Sequence, residues 1–252
     1  MVMKEDSIDT KKLYDKNWTS WQDMMIYGPA SRWIRSLIFN IIKTFIKKDE
    51  ITSVLDLGCG EGINTFYIAR YFENASIKGI DFSKTGIECA KAVYNLPNLE
   101  FIWDEVSDNL SLTYDLVTCF DVLQCEENWK GLVERMSNAT KKYLLFSFPT
   151  GRMRNFEKSG PGHVRNFRKG EVEEFLKGLG FYPVRVYYAG FPFYSPFYRE
   201  VCNLTNAGNN KFTRGKYSFF QKAISNMIYA SFRFLSTKNL MGDQFCGLFE
   251  RK

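Results

Sequence analysis

The chain has few of the residues that metal sites, membrane spans and export signals require. Its 252 residues include one histidine, and the six cysteines form no C-x-x-C pair, so zinc-ligand spacing is absent. No apolar run reaches about 18 residues, so no spanning helix is predicted. No apolar stretch of the signal-peptide kind follows Met1. We therefore expect a cytoplasmic protein with reduced thiols and no metal.

Positive charge is present in excess, and most of it is local. The net charge is +6, from 34 basic and 28 acidic side chains. Residues 190–240 contain seven basic residues against Glu200 alone, so this segment accounts for the whole excess. Such a distribution indicates an anionic partner, although solvated lysines on a helix would give the same pattern.

The segment Val54–Gly62, VLDLGCGEG, is the most informative stretch. Its continuous apolar start predicts a buried parallel strand, and the next ten residues predict the helix that follows a tight turn. Glycine lets the backbone turn sharply and approach a ligand closely. Three glycines serve this turn: Gly58, Gly60 and Gly62. The pattern places a nucleotide-binding crevice at the end of the strand.

A second short strand strengthens this prediction. Residues 76–82 form another apolar run that ends in Asp81, where α/β proteins grip a ribose hydroxyl pair. The turn reads D-x-G-x-G-x-G from Asp56, whereas a dinucleotide site would need a glycine in place of Ile63. The spacing therefore disfavours a nicotinamide or flavin dinucleotide.

VLDLGCGEG followed by GIDFS resembles the first two cofactor motifs of the class I S-adenosylmethionine-dependent methyltransferases. The resemblance covers residues 53–189 and a closing strand at 244–250. It implies an α/β, Rossmann-like, doubly wound seven-stranded sheet with the last strand antiparallel. It also implies S-adenosylmethionine (SAM) as cofactor, S-adenosylhomocysteine (SAH) as product, and no metal. The implied cofactor contacts in the core are Asp56, Gly58, Cys59, Gly60, Gly62, Asp81, Phe82, Asp104, Glu105 and Phe120.

The resemblance divides the chain into four parts. We expect a helical cap over the cofactor and acceptor at 1–50, the SAM-binding core at 51–189, a basic aromatic helical insert at 190–240, and the closing strand at 241–252. Within the insert, an apolar stripe between Phe219 and Leu235 predicts an amphipathic helix. Packing on the core is the favoured interpretation of that stripe. A lid, a membrane-surface contact and a dimer contact stay open.

The loop at 150–168 carries the candidate acceptor site. It contains His163, the one histidine and so the candidate general base, among five basic residues and one acid. Arginine forks recognise phosphate or carboxylate, which predicts a negatively charged acceptor. A solvent-exposed basic loop with a turn-capping histidine is the alternative.

GHVRNF, WQDMMIYGPASRW and GFPFYSPFYR resemble segments of small-molecule methyltransferases from bacterial surface-polysaccharide biosynthesis. That resemblance implies an aromatic roof over the cofactor, although such a cluster also fits plain core. The roof residues are Tyr14, Trp18, Trp21 and Tyr27. The implied acceptor contacts are Arg32, Gln124, Arg152, Arg154 and Arg165.

Two differences from the family pattern limit the type of methyl acceptor. Gln124 stands where many relatives have a histidine, and a glutamine cannot act as a general base. Enzymes that methylate the amino group of a nucleobase have an asparagine or aspartate followed by two prolines at this strand end. Here Asp121 is followed by valine and leucine, which disfavours that reaction. Phe120 and Asp121 are still expected to flank the donor. We thus expect O-methylation of a small anionic acceptor by a monomer or homodimer. The resemblance implies that this acceptor is a phosphorylated or nucleotide-linked sugar, or a phosphate-type group, of capsule or lipopolysaccharide biosynthesis. An RNA-modifying methyltransferase and a non-catalytic donor-binding protein are the alternatives, although nucleic acid is not the expected partner.

Overall fold

The computed structural model describes Trp18 and residues 23–104, 113–158, 162–205, 215–238 and 241–252. These residues form a seven-stranded sheet with helices on both faces. The strands are β1 (Ser53–Leu57), β2 (Ser76–Asp81), β3 (Leu99–Trp103), β4 (Tyr114–Phe120), β5 (Thr140–Pro149), β6 (Phe181–Ala189) and β7 (Gln244–Arg251).

The helices alternate with the strands over most of the chain, as in a doubly wound fold. They are α1 (Met24–Tyr27), α2 (Pro29–Phe45), α3 (Ile63–Tyr71), α4 (Lys84–Val93), α5 (Trp129–Asn138), α6 (Asn155–Lys158), α7 (Glu171–Gly178), α8 (Arg199–Thr205) and α9 (Phe219–Leu235). None of the helices in the described part of the chain has both the length and the apolar content that a membrane-crossing segment requires.

The strand order is β3-β2-β1-β4-β5-β7-β6, and β7 runs antiparallel to both of its neighbours. This order confirms the predicted Rossmann-like sheet with an antiparallel last strand. The order reverses between β1 and β4, which pair in parallel. In open α/β sheets, ligands bind at the carboxyl ends of the strands beside such a reversal. The glycine turn after β1 and the loop after β4 meet there.

Two apolar layers explain why these segments fold as they do. Side chains of β1 alternate between them, with Val54 in one layer and Leu55 and Leu57 in the other. The first layer includes α2, which begins at Pro29 and buries five side chains at helical spacing: Trp33, Leu37, Ile38, Ile41 and Ile42. The second layer includes α5 and α7. The sheet therefore holds its carboxyl edge between two well-packed faces.

The segment between β6 and β7 begins irregularly, as its two prolines predict. Ser195 interrupts the helical turns of Phe193–Tyr198, and α8 and α9 follow. α9 packs on the core through Phe232 and shares side-chain contacts with α2. Several aromatic residues of the predicted apolar stripe point to solvent instead, so the expected packing of the whole stripe is wrong. The division into cap, core and insert remains our proposal.

Candidate active site

The glycine turn is tied to the end of β2 by backbone hydrogen bonds. Gly58 N and Cys59 N donate to Ile80 O at 2.8 and 3.1 Å, and Gly60 N donates to Asp81 Oδ2 at 2.8 Å. The three predicted glycines have φ values of 73°, 55° and 83°, which other residues rarely adopt. The turn and the candidate ribose-binding carboxylate therefore form one unit.

Two glycines are required by close packing. A Cβ on Gly58 would lie 2.2 Å from Val122 Cγ2, in the loop after β4. A Cβ on Gly60 would lie 2.5 Å from Trp18 Cη2, because that indole ring lies directly on the turn. The same ring reaches α4, where a Cβ on Gly86 would be 3.1 Å from its Nε1. Trp18 thus lies at the predicted cofactor position.

Asp81 is oriented before any ligand arrives. Its side chain is 6% exposed, Oδ2 accepts from Gly60 N, and Oδ1 accepts from Ser83 N at 2.8 Å. A carboxylate can accept about four hydrogen bonds, so the two from Gly60 N and Ser83 N do not use its whole acceptor capacity.

The predicted adenine contacts lie next to Asp81. Phe82 is half-buried and Asp104 is exposed, and Asp104 N donates to Asp81 O at 3.2 Å. Trp103 Nε1 donates to Phe82 O at 3.0 Å, which joins the ends of β2 and β3. Glu105, Tyr14 and Trp21 lie outside the described residues.

Asp56 has a different environment from the one predicted. It is fully buried, and its two oxygens accept from Thr65 Oγ1 at 2.6 Å and Thr118 Oγ1 at 2.7 Å. Burial raises the pKa of this carboxyl to about 6. Since both oxygens already bind hydroxyls, Asp56 acts on the site by joining β1, α3 and β4.

Asp121 follows the buried Phe120 at the end of β4 and has a strained backbone. Its φ is 55°, in the left-handed region, and its N–H donates to Ser147 O at 2.7 Å. The side chain is exposed to solvent, yet desolvation by the surrounding protein raises the pKa of its carboxyl to about 7. Backbone strain of this kind clusters at active sites.

Residues from distant parts of the chain complete the surroundings of Asp121. Gln244, at the start of β7, opposes the rise in the pKa of Asp121, and its Nε2 donates to Ser147 Oγ at 3.0 Å. Tyr194 OH donates to Gln244 Oε1 at 3.3 Å, and the Arg199 charge opposes the rise in the pKa of Asp121. Sequence analysis did not identify Gln244 or Tyr194, because no motif marks either of them.

The loop of His163 docks on the same edge of the sheet. Val164 N donates to Gln124 O at 2.9 Å, so the two predicted acceptor elements are in contact. His163 Nε2 lies 2.7 Å from Asn166 Oδ1, and burial lowers the pKa of the imidazole. An amide oxygen only accepts, so Nε2 carries the proton, and only Nδ1 is left to act as a base.

Gln124 is the second polar side chain of interest at this edge. It is buried, and its Oε1 has no hydrogen-bond partner among the described residues. An unsatisfied buried acceptor is costly, which makes Gln124 a candidate contact for a ligand that donates a hydrogen bond.

The predicted acceptor arginines are mostly engaged within the protein. Arg154 is 4% exposed and pairs with Glu200 at 2.7 Å and Asp243 at 3.0 Å. Arg152 also pairs with Glu200, at 2.7 Å. Arg165 pairs with Glu171, and its guanidinium lies over Phe167, 4.6 Å from the ring centroid. The prediction that Arg154 contacts the acceptor is therefore corrected, because its charge is neutralised inside the fold.

Arg32 and Tyr27 face α9 rather than the glycine turn. Arg32 Nη1 donates to Asn226 Oδ1 at 2.6 Å, and its guanidinium lies 4.2 Å from the Tyr229 ring centroid. The Tyr27 ring lies under Lys222, at 4.1 Å. Among the described residues, these contacts connect both side chains to α9.

The sequence of the core matches a known family. A model described as a methyltransferase domain matches residues 48–175, half of the chain. The chain belongs to this methyltransferase family. In the part of the chain that is described, no cluster of three or more histidine, cysteine, aspartate or glutamate residues could hold a metal ion.

Similar proteins share this methyltransferase core. The chain is 34% identical over 111 residues to methyltransferase 235L of Invertebrate iridescent virus 6, covering 41% of each chain. It is 31% identical over 109 residues to the malonyl-[acyl-carrier protein] O-methyltransferase of Halalkalibacterium halodurans, covering 41% of this chain and 40% of that one. The aligned part thus spans about two fifths of these relatives.

The structural comparison extends over the whole chain. Magnesium protoporphyrin IX methyltransferase from Synechocystis PCC 6803, solved with bound SAH, matches with a TM-score of 0.62. The match covers 98% of this chain and 100% of that one, at 14% sequence identity. At this identity it shows a common fold.

Proposed function

We propose that the chain transfers the methyl group of SAM to an oxygen of a small acceptor at the carboxyl edge of the sheet. The observation that carries the proposal is the Asp81 carboxylate held against the glycine turn by Gly60 N. The methyltransferase-domain match and the structural neighbour with bound SAH support the same donor.

The residues fit this donor. Asp81 would hold the ribose hydroxyls, the backbone from Gly58 to Gly62 the methionine end, and Phe82 and Asp104 the adenine. The donor supplies a methyl group already activated on a sulfonium. The remaining task of the protein is to align the acceptor and exclude water, which can contribute roughly 7 to 11 kcal/mol. Trp18 offers an aromatic face at the turn, which suits a cation.

An acceptor hydroxyl must lose its proton, and we assign this role to Asp121. Its carboxylate lies in the crevice after β4, and its pKa of about 7 suits a general base at neutral pH. The free Gln124 Oε1 would accept a hydrogen bond from a second acceptor group. His163, the base predicted from sequence, is the competing assignment.

For the acceptor, we retain a phosphorylated or nucleotide-linked sugar of capsule or lipopolysaccharide biosynthesis as the finer proposal. Its support is the resemblance of three segments and the exposed cations of the 150–168 loop, among them Lys158 and Arg168. The internal ion pairs of Arg154 and Arg165 reduce the charge available for this role.

The proposal is tested with tritiated SAM and a panel of acceptors. We expect label in a nucleotide sugar or sugar phosphate, and much less label at the same SAM concentration when Asp81→Asn replaces the wild type. Label in a fatty acid or phenol would support methyl transfer and refute the sugar acceptor. Label in tRNA would identify the RNA-modifying alternative. SAM binding without transfer to any acceptor would contradict catalysis.

A further inference from the structure

The outer face of α9 is an exposed apolar surface. Five large apolar side chains of this helix face solvent: Phe219 (89% exposed), Phe220 (73%), Met227 (67%), Phe234 (77%) and Leu235 (52%). Helical spacing of three and four residues puts Phe220, Met227 and Phe234 on one side. Large exposed apolar patches mark interaction sites in soluble proteins.

The opposite face of α9 is anchored, which fixes the orientation of the outer face. Phe232 is buried against Trp33 and Tyr198, with ring centroids 5.9 and 4.9 Å away. Ser225 Oγ donates to Tyr27 O, and a capping box formed by Ser218 and Gln221 starts the helix. The helix cannot rotate its aromatic face inward without losing these contacts.

The charged side chains of α9 itself are all basic. α9 contains no aspartate or glutamate, and its two basic residues, Lys222 and Arg233, lie on the flank that Tyr229 occupies. Lys222 also contacts Asp23, at 3.7 Å, whereas Arg233 is exposed.

That flank borders a cleft of about 490 Å³ between α2, α3 and α9. Tyr229 lines the cleft together with four cationic side chains: Arg32, Arg35, Lys43 and Arg70. The described lining residues include no carboxylate. The positive potential at the edge of the apolar face therefore extends beyond the helix itself.

We propose that α9 binds flat on an anionic lipid bilayer. Phe220, Met227 and Phe234 enter the boundary between headgroups and acyl chains, and Arg233 and the cleft cations face lipid phosphates. A second copy of the chain is disfavoured as the partner. In a two-fold contact the same surface would face itself, so the basic residues of α9 would have no acidic residue of α9 opposite them. This inference does not depend on the methyl transfer proposed above.

The test is co-sedimentation of the full chain with vesicles of phosphatidylcholine, with and without phosphatidylglycerol. Wild type is expected to bind the anionic vesicles, more weakly as salt rises, and to bind neutral vesicles poorly. The double variant Phe220→Glu/Phe234→Glu should bind at least about tenfold more weakly. Val93→Glu is the matched control, since Val93 is an exposed apolar residue of α4 and should not affect binding.

Thermal melting of all three proteins ensures that the variants are folded. Equal vesicle binding by wild type and the double variant would overturn the proposal. Equal binding of the wild type to vesicles with and without phosphatidylglycerol would also overturn it. A wild-type dimer in light scattering that the double variant dissociates, with no vesicle binding, would assign the face to a second copy.

Discussion

Replacing Asp121 with asparagine separates the two candidate bases. Asparagine keeps the size of the side chain and also tolerates the left-handed backbone at this position, so folding should be little affected. It cannot take up a proton from the acceptor. If Asp121 is the base, kcat should fall by about 10²- to 10⁴-fold while donor affinity stays unchanged.

The pH dependence gives an independent readout of the same variant. The base must be ionised, so kcat/KM of the wild type should rise as pH increases through about 7, the pKa of Asp121. Asp121→Asn should remove this rise. Initial rates of methyl transfer from tritiated SAM, measured between pH 5.5 and 9 with the best acceptor of the panel, provide the profile.

His163→Gln is the matched control. We expect it to keep the rate and the pH profile near those of the wild type, because Nε2 of His163 already bonds to Asn166. The reasoning is refuted if Asp121→Asn keeps the wild-type rate and pH profile while His163→Gln loses both the rate and the rise with pH. That outcome would make His163 the general base, as the sequence predicted.

Three further outcomes follow from the packing around the crevice. SAH should change the tryptophan fluorescence of the wild type, and Trp18→Phe should lose most of that change, since the ring lies on Gly60; an equal change in both proteins would place the donor elsewhere. The folded protein holds a proton on Asp56 that the unfolded chain releases, so this group should lower the free energy of unfolding by about 2 kcal/mol as the pH rises from 4 to 6. Urea titrations at several pH values should show a weaker pH dependence of the free energy of unfolding in Asp56→Asn. An equal pH dependence in wild type and variant would contradict the raised pKa of Asp56. Arg199→Ala should cost about 3 to 5 kcal/mol in the same assay because it leaves the buried Glu157 unpaired, and a loss below 1 kcal/mol would refute that reasoning.

The sheet and the donor side of the crevice were predictable because their signals are local. The apolar run from Val54, the glycine turn and Asp81 lie within about thirty residues, and each has a direct physical reason. The limits of these two elements differ little from the prediction, since the strand predicted over 76–82 ends at Asp81. The helix predicted to end at Phe72, for example, ends at Tyr71.

The acceptor side depends on contacts that sequence reasoning could not see. Arg154 pairs with Asp243 across 89 positions of the chain, so a loop that reads as basic has part of its charge neutralised. The positive φ of Asp121 has no signature in its residue type. The stripe of α9 has a helical period, but a period alone does not say which face meets the core.

The central claim is that the glycine turn and Asp81 hold the ribose of SAM. Isothermal titration calorimetry with SAH tests it without any acceptor. The account predicts binding by the wild type and affinity at least about tenfold weaker in Asp81→Asn, because a charge-assisted hydrogen bond contributes about 1.5 to 3 kcal/mol. Glu100→Ala, on the exposed part of β3, should bind as the wild type does. No heat and no thermal shift with SAH in the wild type would contradict the account.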